Sequence, residues 1–210
     1  MIDYTLYLVT DRGLSLGRAT VNIVRAAVAG GVTCVQLREK HCSTRAFIEE
    51  ARALKTLLDA IETKIPLIIN DRLDVALAIG ADGVHLGQTD MPIADARRLV
   101  GAAMIIGISA ESIADAIRAE AAGADYIGIS PVFTTPTKQD TASPLGLEGI
   151  RQIRAAVRLP LVAIGGIQQD NAHAVIRAGA DGVAVVSAIV SAACPRKAAS
   201  ALKQQIQSAR

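Results

Sequence analysis

Apolar and polar residues exchange along this chain with two periods. In "CVQLREKHC", residues 34–42, Val35 and Leu37 alternate with polar neighbours as in a half-buried strand. The run then ends in charge, at Arg38, Glu39, Lys40 and His41. Four stretches repeat a common phrase: "AVAGGVTCVQL", "LAIGADGVHLG", "AEAAGADYIGIS" and "IRAGADGVAVVS". Each closes a helix-like segment with Gly or Gly-Ala, often adds Asp, and starts a short apolar run. Gly suits the left-handed position at a helix C-terminus. The runs have the length and apolar character of strands in a parallel sheet.

The pattern predicts strands near 5–10, 32–38, 66–70, 83–87, 104–109, 126–130, 160–164 and 182–186. Helical spacing falls near 18–29, 44–60, 72–79, 92–100, 111–122, 147–157, 169–178 and 195–208. Eight strand–helix units with short links predict an α/β fold, a (β/α)8 TIM barrel filling one domain over residues 1–210. A doubly wound open sheet is the alternative. A barrel places its chemistry at the C-terminal strand ends. Those ends read "TDR" (10–12), "QLREK" (36–40), "INDR" (69–72), "HLGQTD" (85–90), "GIS" (107–109), "SPVFTTPTK" (130–138), "IGGI" (164–167) and "VVSAI" (185–189).

Composition narrows the classes. With 51% apolar residues and a net charge of +2, the chain has the balance of a folded globular protein. Three Tyr, two Phe and no Trp, without a basic stripe, argue against nucleic-acid binding. No run approaches the roughly 18 apolar residues of a membrane span. The start, "MIDYTLYLVTDRG", has no basic segment leading into a long apolar one, so no secretory leader is expected. Cys34, Cys42 and Cys194 form no C-x-x-C pair and suggest reduced thiols, hence a cytoplasmic setting.

Candidate chemistry then follows from position. Arg38, Lys40 and Lys138 suit phosphate oxygens, Arg through a bidentate fork and Lys as point charges. Asp71 and Asp90 follow neighbouring strands. As a pair facing these cations they suit Mg2+, which takes one or two carboxylates plus substrate phosphate and water. Taken singly, each could instead cap a helix start. Gly165-Gly166 and Val186-Ser187 follow strands 7 and 8, where many barrels bind phosphate. The polar loop over residues 133–146, "FTTPTKQDTASPLG", reads as a lid carrying hydroxyl donors. His41 could join the cations, His85 reads as structural within its strand, and His173 as a surface residue.

The strand ends "QLREK", "INDR", "GVHLGQTD", "GIS", "PVFTTPTK", "AIGGI" and "VVSAI", in this order through nearly the whole chain, resemble the thiamine-phosphate synthase family. The resemblance implies a transferase. An aminopyrimidine methyl diphosphate loses diphosphate with Mg2+ present, and a thiazole phosphate, or its carboxylate with loss of CO2, captures the pyrimidine cation. It implies that Gln36, Leu37, Arg38, Glu39, Lys40, Asn70, Ser109 and Lys138 bind the pyrimidine diphosphate. Of these, Arg38, Lys40, Ser109 and Lys138 would act in catalysis. Asp71 and Asp90 would hold Mg2+. Thr135, Pro136, Thr137, Gly166, Val186 and Ser187 would hold the thiazole phosphate. Many members carry His where this chain has Glu111. A related thiazole tautomerase, an isomerase on the same fold, uses a His where this chain has Pro131, and lacks counterparts of Asp71 and Lys40. A non-catalytic phosphate-binding barrel is the alternative of another class. A homodimer stays open.

Overall fold

The eight apolar runs become eight parallel strands in a computed structural model that describes residues 2–135 and 143–210. In chain order the elements are β1 (Leu6–Val9), a 3-10 turn (Arg12–Leu14), α1 (Thr20–Ala29), β2 (Cys34–Leu37), α2 (Thr44–Asp59), β3 (Leu67–Asn70), α3 (Leu73–Ile79), β4 (Gly83–Leu86) and α4 (Ile93–Val100). There follow β5 (Ile105–Ala110), α5 (Ile113–Ala121), β6 (Tyr126–Ile129), α6 (Gly146–Ala156), β7 (Leu161–Ile164), α7 (Ala172–Arg177), β8 (Gly182–Val185), α8 (Ser187–Val190) and α9 (Pro195–Ser208). Each strand pairs with the next, and β1 pairs with β8, Tyr7 lying opposite Ala184. That last pairing closes the barrel and removes the open-sheet alternative. Among the described residues, no helix is long and apolar enough to cross a membrane.

Strand alternation builds two cores. Leu6, Leu8, Val35, Leu37, Val84, Leu86, Ile127 and Ile129 face outward and join the helix-lined core. Their neighbours turn inward: Tyr7, Val9, Cys34, Ile68, Tyr126, Val162 and Ala184 fill the barrel. The outer layer is supplied by stripes such as Phe47, Ala51, Leu54 and Leu58 of α2. That helix starts where the Ser43 hydroxyl accepts from the Ala46 N–H at 3.2 Å. Each such buried Leu contributes about 1.5–3 kcal/mol of transfer free energy.

The repeated phrase has a structural purpose at the bottom of the barrel. Asp82 accepts from the Leu67 N–H at 3.0 Å, Asp125 from Ile106 at 2.7 Å and Asp181 from Leu161 at 2.7 Å. Thr33 does the same for Leu6 at 3.0 Å. In every case the residue ahead of an even-numbered strand caps the start of the preceding odd-numbered one. The glycine before it turns the chain from helix to strand through a left-handed conformation, as at Gly80 (φ 63°). The strongest repeat in the sequence is therefore a stability device on the face opposite the strand C-termini.

Candidate active site

At the C-terminal mouth lies a cavity of about 730 Å3, within the range of small-molecule sites. Strand alternation decides what enters it. Gln36, Arg38 and Lys40 lie on the inward register and line the cavity. Leu37 and Glu39 lie on the outward one. Leu37 is buried in the helix-facing core. Glu39 turns to the 3-10 turn, with Oε1 3.6 Å from Arg12 Nε and no hydrogen bond to that oxygen. Burial, then the nearby Glu50, pushes its carboxyl above the usual range. Neither side chain lines the cavity the resemblance assigned to it.

The cations are held in place. Arg38 Nη1 meets Asp11 Oδ2 at 2.9 Å, and its N–H donates to the Thr10 hydroxyl at 3.0 Å. Lys40 Nζ meets Asp71 Oδ2 at 3.0 Å. Asp71 sits in the left-handed region (φ 62°), a conformation Asp tolerates better than most residues. Its N–H donates to the His85 carbonyl at 2.8 Å. Asp90 Oδ2 accepts from the Gly87 N–H at 2.6 Å. Helix caps are not their role: the residues at the starts of α3 and α4 are Arg72 and Pro92, and neither start has a side-chain cap.

Burial and the Asp71 carboxylate, within hydrogen-bond reach, push the Asp90 carboxyl above the usual range, while the Gly87 N–H and Lys40 oppose the shift. Two carboxylates side by side on the wall of the cavity present oxygens a hard divalent cation can share. This donor set fits Mg2+ that takes its remaining ligands from phosphate and water. Among the described residues, no cluster of three or more His, Cys, Asp and Glu side chains could hold a metal alone.

Ser109, Asn70, Thr135, Gly166, Val186 and Ser187 also line the cavity. Pro136, Thr137 and Lys138, with the middle of the expected lid, lie outside the described residues. Gly166 has φ 64°, and a Cβ there would stand 2.7 Å from the Thr134 carbonyl oxygen and 2.8 Å from Phe133 Cβ. It lets the segment after β6 close against the segment after β7. Ser187 opens α8, a four-residue helix the apolar pattern did not predict, since a single turn carries no periodicity. Arg18 donates to the carbonyls of Val190 at 2.6 Å and Ala192 at 2.8 Å, anchoring the end of α8 to the segment after β1.

Among the lining residues to which the sequence reading gave no part in the site are Tyr7, His85 and Tyr126. His85 Nδ1 lies 2.8 Å from the Tyr126 hydroxyl, and Nε2 lies 2.9 Å from Ser109 Oγ. The missed signal was register. Val84 and Leu86 point outward, so His85 must point in, and the same holds for Tyr126 beside Ile127. Glycines make the room: a Cβ on Gly107 would lie 2.1 Å from Tyr126 Cζ, and one on Gly128 2.9 Å from His85 Cε1.

The profile of the thiamine monophosphate synthase family matches residues 6–189. The chain belongs to that family. Curated thiamine-phosphate synthases from Chloroflexus aurantiacus and Albidiferax ferrireducens are 56% and 57% identical to it over 192 and 201 residues. Those alignments span 91% and 96% of this chain and 88% and 91% of the relatives. The solved thiamine phosphate pyrophosphorylase from Pyrococcus furiosus superposes with a TM-score of 0.90 at 42% identity, covering 99% of this chain and 97% of that one. As a member of the thiamine monophosphate synthase family, the chain carries at its barrel mouth the cations, paired carboxylates and glycine turn described above. Glu111 lines the same cavity.

Proposed function

We propose that this protein joins an aminopyrimidine methyl diphosphate to a thiazole phosphate, giving thiamine phosphate and diphosphate. The observation that carries the reading is the meeting of Lys40, Asp71 and Asp90 beside Arg38 in one cavity, in a chain of this family. The related isomerase, by resemblance, lacks the Lys40 and Asp71 pair that stands here at 3.0 Å.

In the reaction, the bond between the pyrimidine methylene carbon and the diphosphate oxygen breaks, and its electrons leave with diphosphate. The thiazole nitrogen lone pair then forms the new carbon–nitrogen bond. A thiazole carboxylate would also release CO2. Charge that builds on the leaving group is the larger demand, so preorganised cations matter more than a general base. Arg38, oriented by Asp11, and Lys40 face that charge, with Lys138 joining them by resemblance. Ser109 adds a hydroxyl at the same wall. Gly166, Val186 and Ser187 would receive the thiazole phosphate at the ends of β7 and β8. Asp71 and Asp90 would hold Mg2+, which when bound would neutralise diphosphate charge. The three free cysteines, one of them exposed, suit a reducing cytoplasm.

Incubating pure protein with both substrates and Mg2+ should yield thiamine phosphate and diphosphate in equal amounts. Asp71→Ala or Asp90→Ala should cut turnover at least tenfold and raise the Mg2+ needed, with the fold retained. No product from the wild type would overturn the activity. Unchanged Mg2+ titrations in both variants would remove the two carboxylates from the metal site.

A further inference from the structure

A chain of hydrogen bonds crosses the barrel at the floor of the cavity and joins five of its lining residues. Gln36 Nε2 donates to the Tyr7 hydroxyl at 3.0 Å. The hydroxyls of Tyr7 and Tyr126 lie 2.9 Å apart. The Tyr126 hydroxyl then meets His85 Nδ1, and His85 Nε2 meets Ser109 Oγ. Val9, Ile68, Val162 and Ala184 surround the two phenols with apolar surface. Both tyrosines are fully buried, and burial pushes both phenols well above their usual range, so each keeps its proton.

Counting hydrogens gives the chain a direction. The Tyr7 oxygen accepts from Gln36, so its single hydrogen needs another acceptor. Its neighbours are the Tyr126 oxygen and the buried Cys34 thiol. Sulfur is the weaker acceptor, and a buried hydroxyl left unsatisfied is destabilising. Tyr7 therefore donates to Tyr126. The Tyr126 hydrogen then goes to His85 Nδ1, which must be bare. A neutral imidazole with a bare Nδ1 carries its proton on Nε2 and donates it to Ser109 Oγ. Ser109 keeps its own hydrogen to present to the cavity. If the Gln36 amide were reversed, every link would reverse with it, and Nε2 would consume the Ser109 hydrogen.

We propose that Tyr7, Tyr126 and His85 are positioning residues: they form a one-way relay from Gln36 that keeps the Ser109 hydroxyl a donor toward the diphosphate. The role of the donor rests on the function proposed above; the direction of the relay does not. Donation to an oxygen that gains charge as it departs serves the transition state more than the ground state. The relay therefore belongs to kcat rather than to KM.

Two measurements test it. Nitrogen-15 NMR of the wild-type protein without substrate reads the imidazole tautomer directly, with His41→Gln and His173→Gln variants assigning the signals. The expected result is His85 protonated at Nε2; protonation at Nδ1 overturns the relay. The second is a double-mutant cycle on kcat. Tyr126→Phe should lower kcat roughly five- to tenfold, the value of one net hydrogen bond, with KM for the pyrimidine diphosphate little changed. In a Ser109→Ala background the same substitution should cost nothing further. An equal loss in both backgrounds would mean that Tyr126 acts otherwise, and would overturn the proposal. Should Tyr126→Phe not fold, Tyr7→Phe repeats the cycle one link away. A wild type that makes no thiamine phosphate overturns the function reading, and the tautomer alone then decides the relay.

Discussion

Glu39 shows how one step in register changes the meaning of a charge. Its neighbours Arg38 and Lys40 enter the cavity, while its own carboxyl turns outward beneath the 3-10 turn. The groups around it are Glu50 and Asp11, which repel its charge, and Arg12 and Arg38, which attract it. Burial and Glu50 win over an Arg12 side chain that is 54% exposed and well solvated. The folded state thus holds the Glu39 proton more tightly than the unfolded chain. The resulting stability is fully present below the ordinary glutamate range and is lost as pH rises through the raised value. Glu39→Gln stays neutral throughout. It should unfold at a higher temperature than the wild type at neutral pH, with the gap closing in acid. Thermal unfolding followed by circular dichroism from acid to neutral pH checks this. A gap independent of pH would show that the carboxyl is not the cause.

Elements divide the barrel into a face for stability and a face for chemistry. Asp125 precedes β6 and accepts from the Ile106 N–H near the start of β5, and it also meets Arg97 Nη2 at 2.6 Å. Asp125→Ala leaves the Ile106 N–H in a buried strand without its acceptor, a cost of roughly 1–3 kcal/mol. For a chain of this size each kcal/mol lowers Tm by about 2–4 °C. The variant should unfold earlier yet keep the wild-type kcat at temperatures where it is folded, because the caps lie at the opposite end of the strands from the cavity. A large fall in kcat with an unchanged Tm would contradict that division. The short α8 marks the other face. Its start lies at Ser187 and its end is held by Arg18, so the position of one turn of helix depends on a side chain from the far end of the sequence.

At the scale of the whole molecule, the cavity has two halves. Arg38, Lys40, Asp71 and Asp90 come from the ends of β2 to β4, and Gly166, Val186 and Ser187 from the ends of β7 and β8. A diphosphate with its cation suits the first half and a monophosphate the second. Gly166→Val puts a branched side chain at φ 64° and within 2.7 Å of the Thr134 carbonyl. It should shift the segments after β6 and β7 together and weaken thiazole phosphate binding at least tenfold. Affinity for the pyrimidine diphosphate should change little. Calorimetry with each ligand in turn checks the layout, and loss of the pyrimidine diphosphate alone would reverse the two halves.

Period and spacing, which are local properties, already determined the eight strands, the eight principal helices and the face on which chemistry belongs. A strand of four residues still shows its alternation, and "QLREK" or "INDR" still shows charge arriving at its end. What needed the closed barrel was everything that depends on neighbours distant in sequence. Asp71 and Asp90 read in the chain as cap candidates singly and as a metal pair together, and it is β3 and β4 lying side by side that decides for the pair. Leu37 and Glu39 share a motif with Gln36, Arg38 and Lys40, yet the pleat sends them to the other side. His85 reads as merely structural in a linear reading, because its partners, Tyr126 and Ser109, stand on β6 and β5. Hydrogen bonds between side chains 24 and 41 residues apart leave no period in a sequence. They exist once the strands close, and closure sets the direction in which each proton points.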